Sequence, residues 1–275
     1  MSRLLRCAAS ARRGGPLLVA TGVLAVACHR APDRAIRVCA DPNNLPFSNR
    51  GEQGFENKLA ELLAADRHAS LEYAWWAQRR GFVRNTLEAN ACDVLMGVPS
   101  GYEQTLTTKP YYRSRYVFVS RRNRHLDLAS LDDPRLPSLR IGVQMIGDDF
   151  SNSPPAHALS NRGMVKNIVG FPVYGDYAKP SPLAAIVDAV DRGEIDAAVV
   201  WGPAAGYFAR HRPLDLAPVT PGADSASLPF TFDIAMGVRR GDTALRDELD
   251  DFLVRRHADI ARLLDDYGVP RVEAP

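Results

Sequence analysis

Few residues in this 275-residue sequence are spaced for catalysis. Glu56, or Asp148 with Asp149, would do acid–base work only if the fold desolvates them. The histidines (His29, His68, His125, His157, His211, His257) are scattered, mostly beside arginines or in polar stretches. Gly97-Val98-Pro99-Ser100-Gly101 does not match a nucleophile elbow. No His-Glu-x-x-His, phosphate-binding P-loop or Gly-x-Gly-x-x-Gly run occurs. The chemistry on offer is therefore recognition, and neither an enzyme nor a bound cofactor is expected.

The cysteines bear on compartment. Residues 1–27 carry Arg3, Arg6, Arg12 and Arg13 and no acid, then the apolar run Pro16–Ala27. That run is too short for a membrane span, which needs roughly 20 residues. A basic start, a short apolar core and Ala25-Val26-Ala27 describe a signal peptide over residues 1–27. Cys28 follows directly, as in a bacterial lipobox, although Ala25 stands where such boxes carry Leu. Lipidation of Cys28 and a plain N-terminal cysteine both stay open, and a lipid would be the sole link to a membrane. Cys39 and Cys92 remain as an even pair, which in an exported chain suggests a disulfide. The alternative is two buried thiols. If Cys39 ends one strand and Cys92 opens its parallel neighbour, the two would lie too far apart to bridge. Two cysteines without clustered histidines make no metal site.

The composition is that of an ordinary globular protein, 46% hydrophobic and 24% charged. The formal charge is +2, and loss of the four leader arginines takes it to −2. That balance gives no argument for a nucleic-acid partner.

Strand-like and helix-like segments alternate, which predicts α/β architecture with parallel strands. Strands are expected at Ala35–Ala40, Ser70–Trp76, Asp93–Gly97, Tyr116–Ser120, Leu139–Gln144, Asn167–Val173, Ile195–Trp201 and Phe232–Val238. Helices are expected at Gly54–Ala65, Phe82–Glu88, Asn152–Arg162, Leu183–Arg192, Pro203–Arg212 and Arg246–Tyr267. Ligands in open α/β sheets sit beyond the carboxyl ends of strands. Asp41–Phe47, Gly97–Tyr102, Gln144–Asp149 and Trp201–Tyr207 should then border one cleft.

These segments together resemble the type II periplasmic binding proteins. That resemblance implies two α/β lobes joined by two crossing strands, Tyr116–Ser120 and Phe232–Val238, with a cleft between. Lobe one would be residues 35–119 plus 233–272, and lobe two residues 120–232. Three runs carry a closer likeness: Arg37–Asn49, Gly54-Phe55-Glu56-Asn57-Lys58 and Trp75–Leu87. They are similar to the branch associated with quinoprotein dehydrogenases. The likeness implies a periplasmic accessory to a PQQ-dependent methanol or alcohol dehydrogenase, or capture of a small molecule linked to it. A solute receptor of an ABC importer is the alternative, and an enzyme on this scaffold a third.

The sequence departs from amino-acid-binding members of the superfamily. They clamp the ligand carboxylate with an Arg at a place that falls near Tyr102, and meet its ammonium with an Asp where Trp201 stands here. Loss of both argues against an amino acid. What replaces them is aromatic and amide-rich: Phe47, Trp75, Trp76, Tyr102, Tyr111, Tyr112, Trp201 and Tyr207, with Asn43, Asn44, Thr108 and Gln144. Alternation sends Trp75 and Trp76 to opposite faces, so one of them belongs to the core. Arg79 and Arg80 face either an acidic partner or solvent. Asp41 either binds ligand or caps the Asp-Pro-Asn-Asn turn.

Overall fold

The computed structural model describes residues 35–146, 152–173, 177–222 and 227–273. The leader, Cys28 and the Asp148–Asp149 pair lie outside the described residues.

Alternating side chains in β1 (Ala35–Ala40) bury Ile36 and Val38 on one face. The chain then turns through β2 (Asn43–Asn44) and β3 (Ser48–Asn49), two short strands paired with each other. α1 (Phe55–Asp66) starts at Gly54, whose N–H donates to Asn57 Oδ1. A Cβ at Gly54 would fall 1.9 Å from the Phe47 carbonyl oxygen, so only glycine fits there. Leu59, Ala60, Leu63 and Ala64 recur at helical spacing and fill the core.

β4 (Ser70–Trp75) and β5 (Val94–Pro99) flank β1, both parallel to it. Between them α2 (Phe82–Asn85) is a single turn, shorter than the expected Phe82–Glu88. Cys39 and Cys92 are bonded, with Cα atoms 5.3 Å apart. The expected difficulty is absent because Cys92 lies before β5, not at its first position. The Asp93 N–H donates to Arg37 O at 2.7 Å, and this brings Cys92 alongside β1.

After β6 (Leu106–Thr107) comes β7 (Tyr112–Arg121), which starts four residues before the expected Tyr116. Its residues Tyr112–Arg115 pair antiparallel with β12 (Thr231–Val238), and Tyr116–Ser120 pair with β10 (Ala197–Trp201). β7 therefore changes partner between Arg115 and Tyr116 and runs from one half of the sheet into the other. Across the β7–β12 pairing Arg113 grips Asp233 with two hydrogen bonds of 2.6 and 2.7 Å. Those bonds hold the Asp233 carboxyl below its ordinary pKa.

The second half adds β8 (Ile141–Met145), α3 (Pro154–Asn161), β9 (Ile168–Pro172), α4 (Ala185–Asp191), α5 (Gly202–Ala209) and β11 (Leu214–Pro218). The sheet order is β4-β1-β5-β12-β7-β10-β8-β9, with β11 on β7 and β6 on β12. Parallel strands lie toward both ends, and β7 and β12 introduce antiparallel pairings in the middle. β10 shows why its sequence is apolar throughout: Ala198 and Val200 pack on one face, Ala197 and Val199 on the other. The expected Arg246–Tyr267 tract is two helices, α6 (Thr243–Arg255) and α7 (His257–Asp266), broken at Arg256.

Candidate functional site

The carboxyl ends of β1, β5, β8 and β10 meet at one cavity of about 360 Å³. β1 leads to Asp41, Asn43, Asn44 and Phe47. β5 brings Gly97–Pro99, β8 brings Gln144 and Ile146, and β10 brings Trp201. The crossing strands supply Tyr112, Tyr116, Phe232 and Ile234.

Aromatic rings form much of the wall. Trp201 meets Tyr116 edge-on with centroids 5.3 Å apart and Phe232 at 5.7 Å. Phe47 packs on Phe55 at 5.4 Å. Such tilted contacts hold the rings at fixed angles. The Trp201 N–H donates to Gln144 Oε1 at 3.0 Å, which fixes the buried Gln144 amide.

Among the described residues two carboxyl groups line the cavity, and their surroundings differ. Asp41 is 3% exposed and accepts three hydrogen bonds. The Asn43 N–H donates to Oδ1 at 2.8 Å, closing the Asp-Pro-Asn-Asn turn. The Gln78 N–H and the Tyr177 hydroxyl donate to Oδ2 at 2.6 and 2.7 Å. Asp41 thus caps its own turn and ties it to Tyr177 of the second half. Asn43 extends that tie: its amide donates to Lys179 O at 2.7 Å and accepts from Ser181 N–H at 3.3 Å.

Glu56 projects from the first turn of α1 into the same cavity. Among the described residues nothing donates a hydrogen bond to its carboxyl. Burial first, and the charge of Asp41 second, push its pKa up to about 8. Gly97 makes room for it, since a Cβ there would lie 2.2 Å from Glu56 Oε1. Burial also raises the Tyr111 and Tyr112 hydroxyls well above their ordinary pKa, with Glu56 adding to both.

Of the residues anticipated for the cleft, the structure brings Asp41, Asn43, Asn44, Phe47, Tyr112, Gln144 and Trp201 together around the cavity. The others sit elsewhere. Trp75 stacks on Tyr73 at 4.6 Å beneath Arg50. Tyr207 stacks on Tyr267 at 5.7 Å. Tyr102 donates to Gln104, and Tyr111 donates to Met96 O. Thr108 Oγ1 donates to Lys109 O and accepts from Met236 N–H. Arg79 is exposed, and Arg80 borders a separate surface groove with Arg84, Glu88, Arg239 and Arg240. Tyr116, Phe232, Ser153 and Tyr177 line the cavity without having been anticipated there. Tyr116 and Phe232 head the two segments read as crossings, so that position was their signal. Ser153 and Tyr177 reach the site only through tertiary folding.

No family model matches the chain. Protein MoxJ of Methylorubrum extorquens is 32% identical over 249 residues, 86% of this chain and 81% of that protein. The crystal structure of periplasmic binding protein XoxJ from Methylobacterium extorquens AM1 matches at 36% identity and a TM-score of 0.71. It covers 87% of this chain and 100% of that one. MxaJ from Methlophaga aminisulfidivorans MPT matches at 27% identity and a TM-score of 0.75, covering 86% and 100%. The two lobes, the switching strand and the cleft between them are those of a type II periplasmic binding protein, and the chain belongs to the MoxJ family.

Proposed function

We propose that this chain acts in the periplasm as an accessory factor of a PQQ-dependent methanol or alcohol dehydrogenase. It recognises the dehydrogenase for maturation or activation, or holds a small molecule linked to it. Catalysis belongs to the partner. Membership of the MoxJ family carries the reading, together with the Asp41–Phe47 and Gln78–Arg84 runs that resemble dehydrogenase-associated binding proteins. In this reading residues 35–119 with 233–272 form lobe one and residues 120–232 lobe two. Closure would flex β7 and β12.

The groove edged by Arg80, Arg84, Arg239 and Arg240 is the surface we assign to an acidic partner. Within the protein Arg239 donates to Asp93 at 2.7 Å, and Arg240 donates to Glu103 O. A pull-down with the dehydrogenase, both empty and PQQ-loaded, tests the reading. Retention of the enzyme supports it, and no association with either form removes it. The cavity also favours a second reading, a receptor for a small solute other than an amino acid. Genes for a permease and an ATPase beside this one would favour that role, whereas a dehydrogenase and a c-type cytochrome would favour the first.

A further inference from the structure

We propose that the cavity takes a small organic cation, a ligand with an ammonium or quaternary ammonium group, set against the Glu56 carboxylate and the faces of Trp201, Tyr116 and Phe232. The inference rests on the reading of the cleft as a binding site and names its ligand class. Among the described lining residues the only charged side chains are Asp41 and Glu56, and no Lys, Arg or His accompanies them. Among the described lining residues an anion would meet two carboxyl groups and no counter-charge, which disfavours polycarboxylates such as pyrroloquinoline quinone. A zwitterion would leave its own carboxylate unpaired.

The two carboxyl groups are not equivalent. Asp41 is committed to three protein donors. Glu56 is half-buried, lines the cavity and has no protein donor among the described residues. Desolvation and the nearby Asp41 charge favour the protonated form of its carboxyl, which fits a pKa near 8. An arriving cation supplies the missing partner and releases that proton. The aromatic corner supplies the rest, because ring faces attract a cation, most strongly when water is excluded. The titratable groups that interact with Glu56 are Asp41, Tyr73, Tyr111 and Tyr112. The three tyrosines stay neutral across the working range, since burial raises each.

Calorimetric titration with choline and tetramethylammonium tests this, because neither probe changes charge with pH. The uncharged isostere 3,3-dimethylbutan-1-ol and pyrroloquinoline quinone serve as comparisons. Choline should bind with one site per chain, at least tenfold more tightly than the alcohol. Its affinity should rise about tenfold from pH 7 to pH 9 as Glu56 ionises. Glu56→Gln should lose that rise and most of the affinity. Trp201→Leu should weaken binding and keep the pH rise, so a folded variant with a separate signature is available. Absence of choline binding, equal binding of the alcohol, or unchanged binding by Glu56→Gln would each overturn the cation assignment. Equal binding of the alcohol would leave the cleft as a binding site. Dehydrogenase association, measured separately, decides the accessory role whatever the cation result.

Discussion

The cavity and the arginine groove are opposites on one small protein. The cavity holds two carboxyl groups, aromatic walls and no cation among its described residues. The groove is edged by four arginines and one glutamate. The near-neutral formal charge of +2 conceals both. Net charge describes solubility and long-range attraction, whereas recognition depends on where the charges lie. A cationic small molecule suits the first region and an acidic protein surface the second. Ligand capture and partner docking therefore fall on separate regions of the protein.

The largest expected effect tests whether the groove depends on the Cys39–Cys92 bond. The two half-cystines pack with Phe82, Val83 and Leu87, and Leu87 also lines the groove. The bond spans 53 residues, so replacing both cysteines with serine should cost about 4 kcal/mol in the chain-entropy model. Urea unfolding measures that loss, and dehydrogenase association should fall before cation binding does.

The next effect isolates the cavity. The pKa of Glu56 is about 8 in the folded protein against an ordinary 4.5, so the native form keeps a proton that the unfolded chain releases. Its contribution to stability is complete below about pH 4.5 and is lost as pH rises through 8, at most about 1.4 kcal/mol per pH unit. Urea midpoints at pH 5, 6.5 and 8 should decline less steeply in Glu56→Gln than in the parent.

Charge reversal at Arg84 and Arg240 sharpens the comparison from the other side. Arg84→Glu with Arg240→Glu should weaken dehydrogenase association about tenfold at low salt, with a smaller difference at high salt. Choline affinity should not change, since neither residue borders the cavity. The smallest effect concerns the tie across the cleft. Tyr177→Phe removes one hydrogen bond to Asp41, a net contribution of about 1 kcal/mol, and should speed choline release a few-fold in stopped-flow fluorescence.

Much of this architecture was legible in residue order. β1 occupies its expected residues, Ala35–Ala40. Strand-end logic brought Asp41, Gln144 and Trp201 to one place because the parallel pairs β1–β5 and β8–β10 run in opposite senses on either side of the crossing strands and aim their carboxyl ends at each other. The break at Arg256 escaped notice, since the apolar spacing continues on both sides of it. β11 was hidden because its alternation is short and it ends at a proline. Trp75 and Tyr207 misled because an aromatic side chain in a strand or helix fits a ring stack as readily as a cleft. The isolation of Glu56 was out of reach for a different reason. Its missing donor depends on every neighbour that tertiary folding brings near, and no local pattern encodes that.

The central claim is that this protein docks on a PQQ-dependent dehydrogenase. Titrating the purified protein onto immobilised methanol dehydrogenase, empty and PQQ-loaded, tests it most directly. The account predicts saturable binding to at least one form, weakened by Arg84→Glu with Arg240→Glu. Absence of binding to both forms at low salt would contradict it.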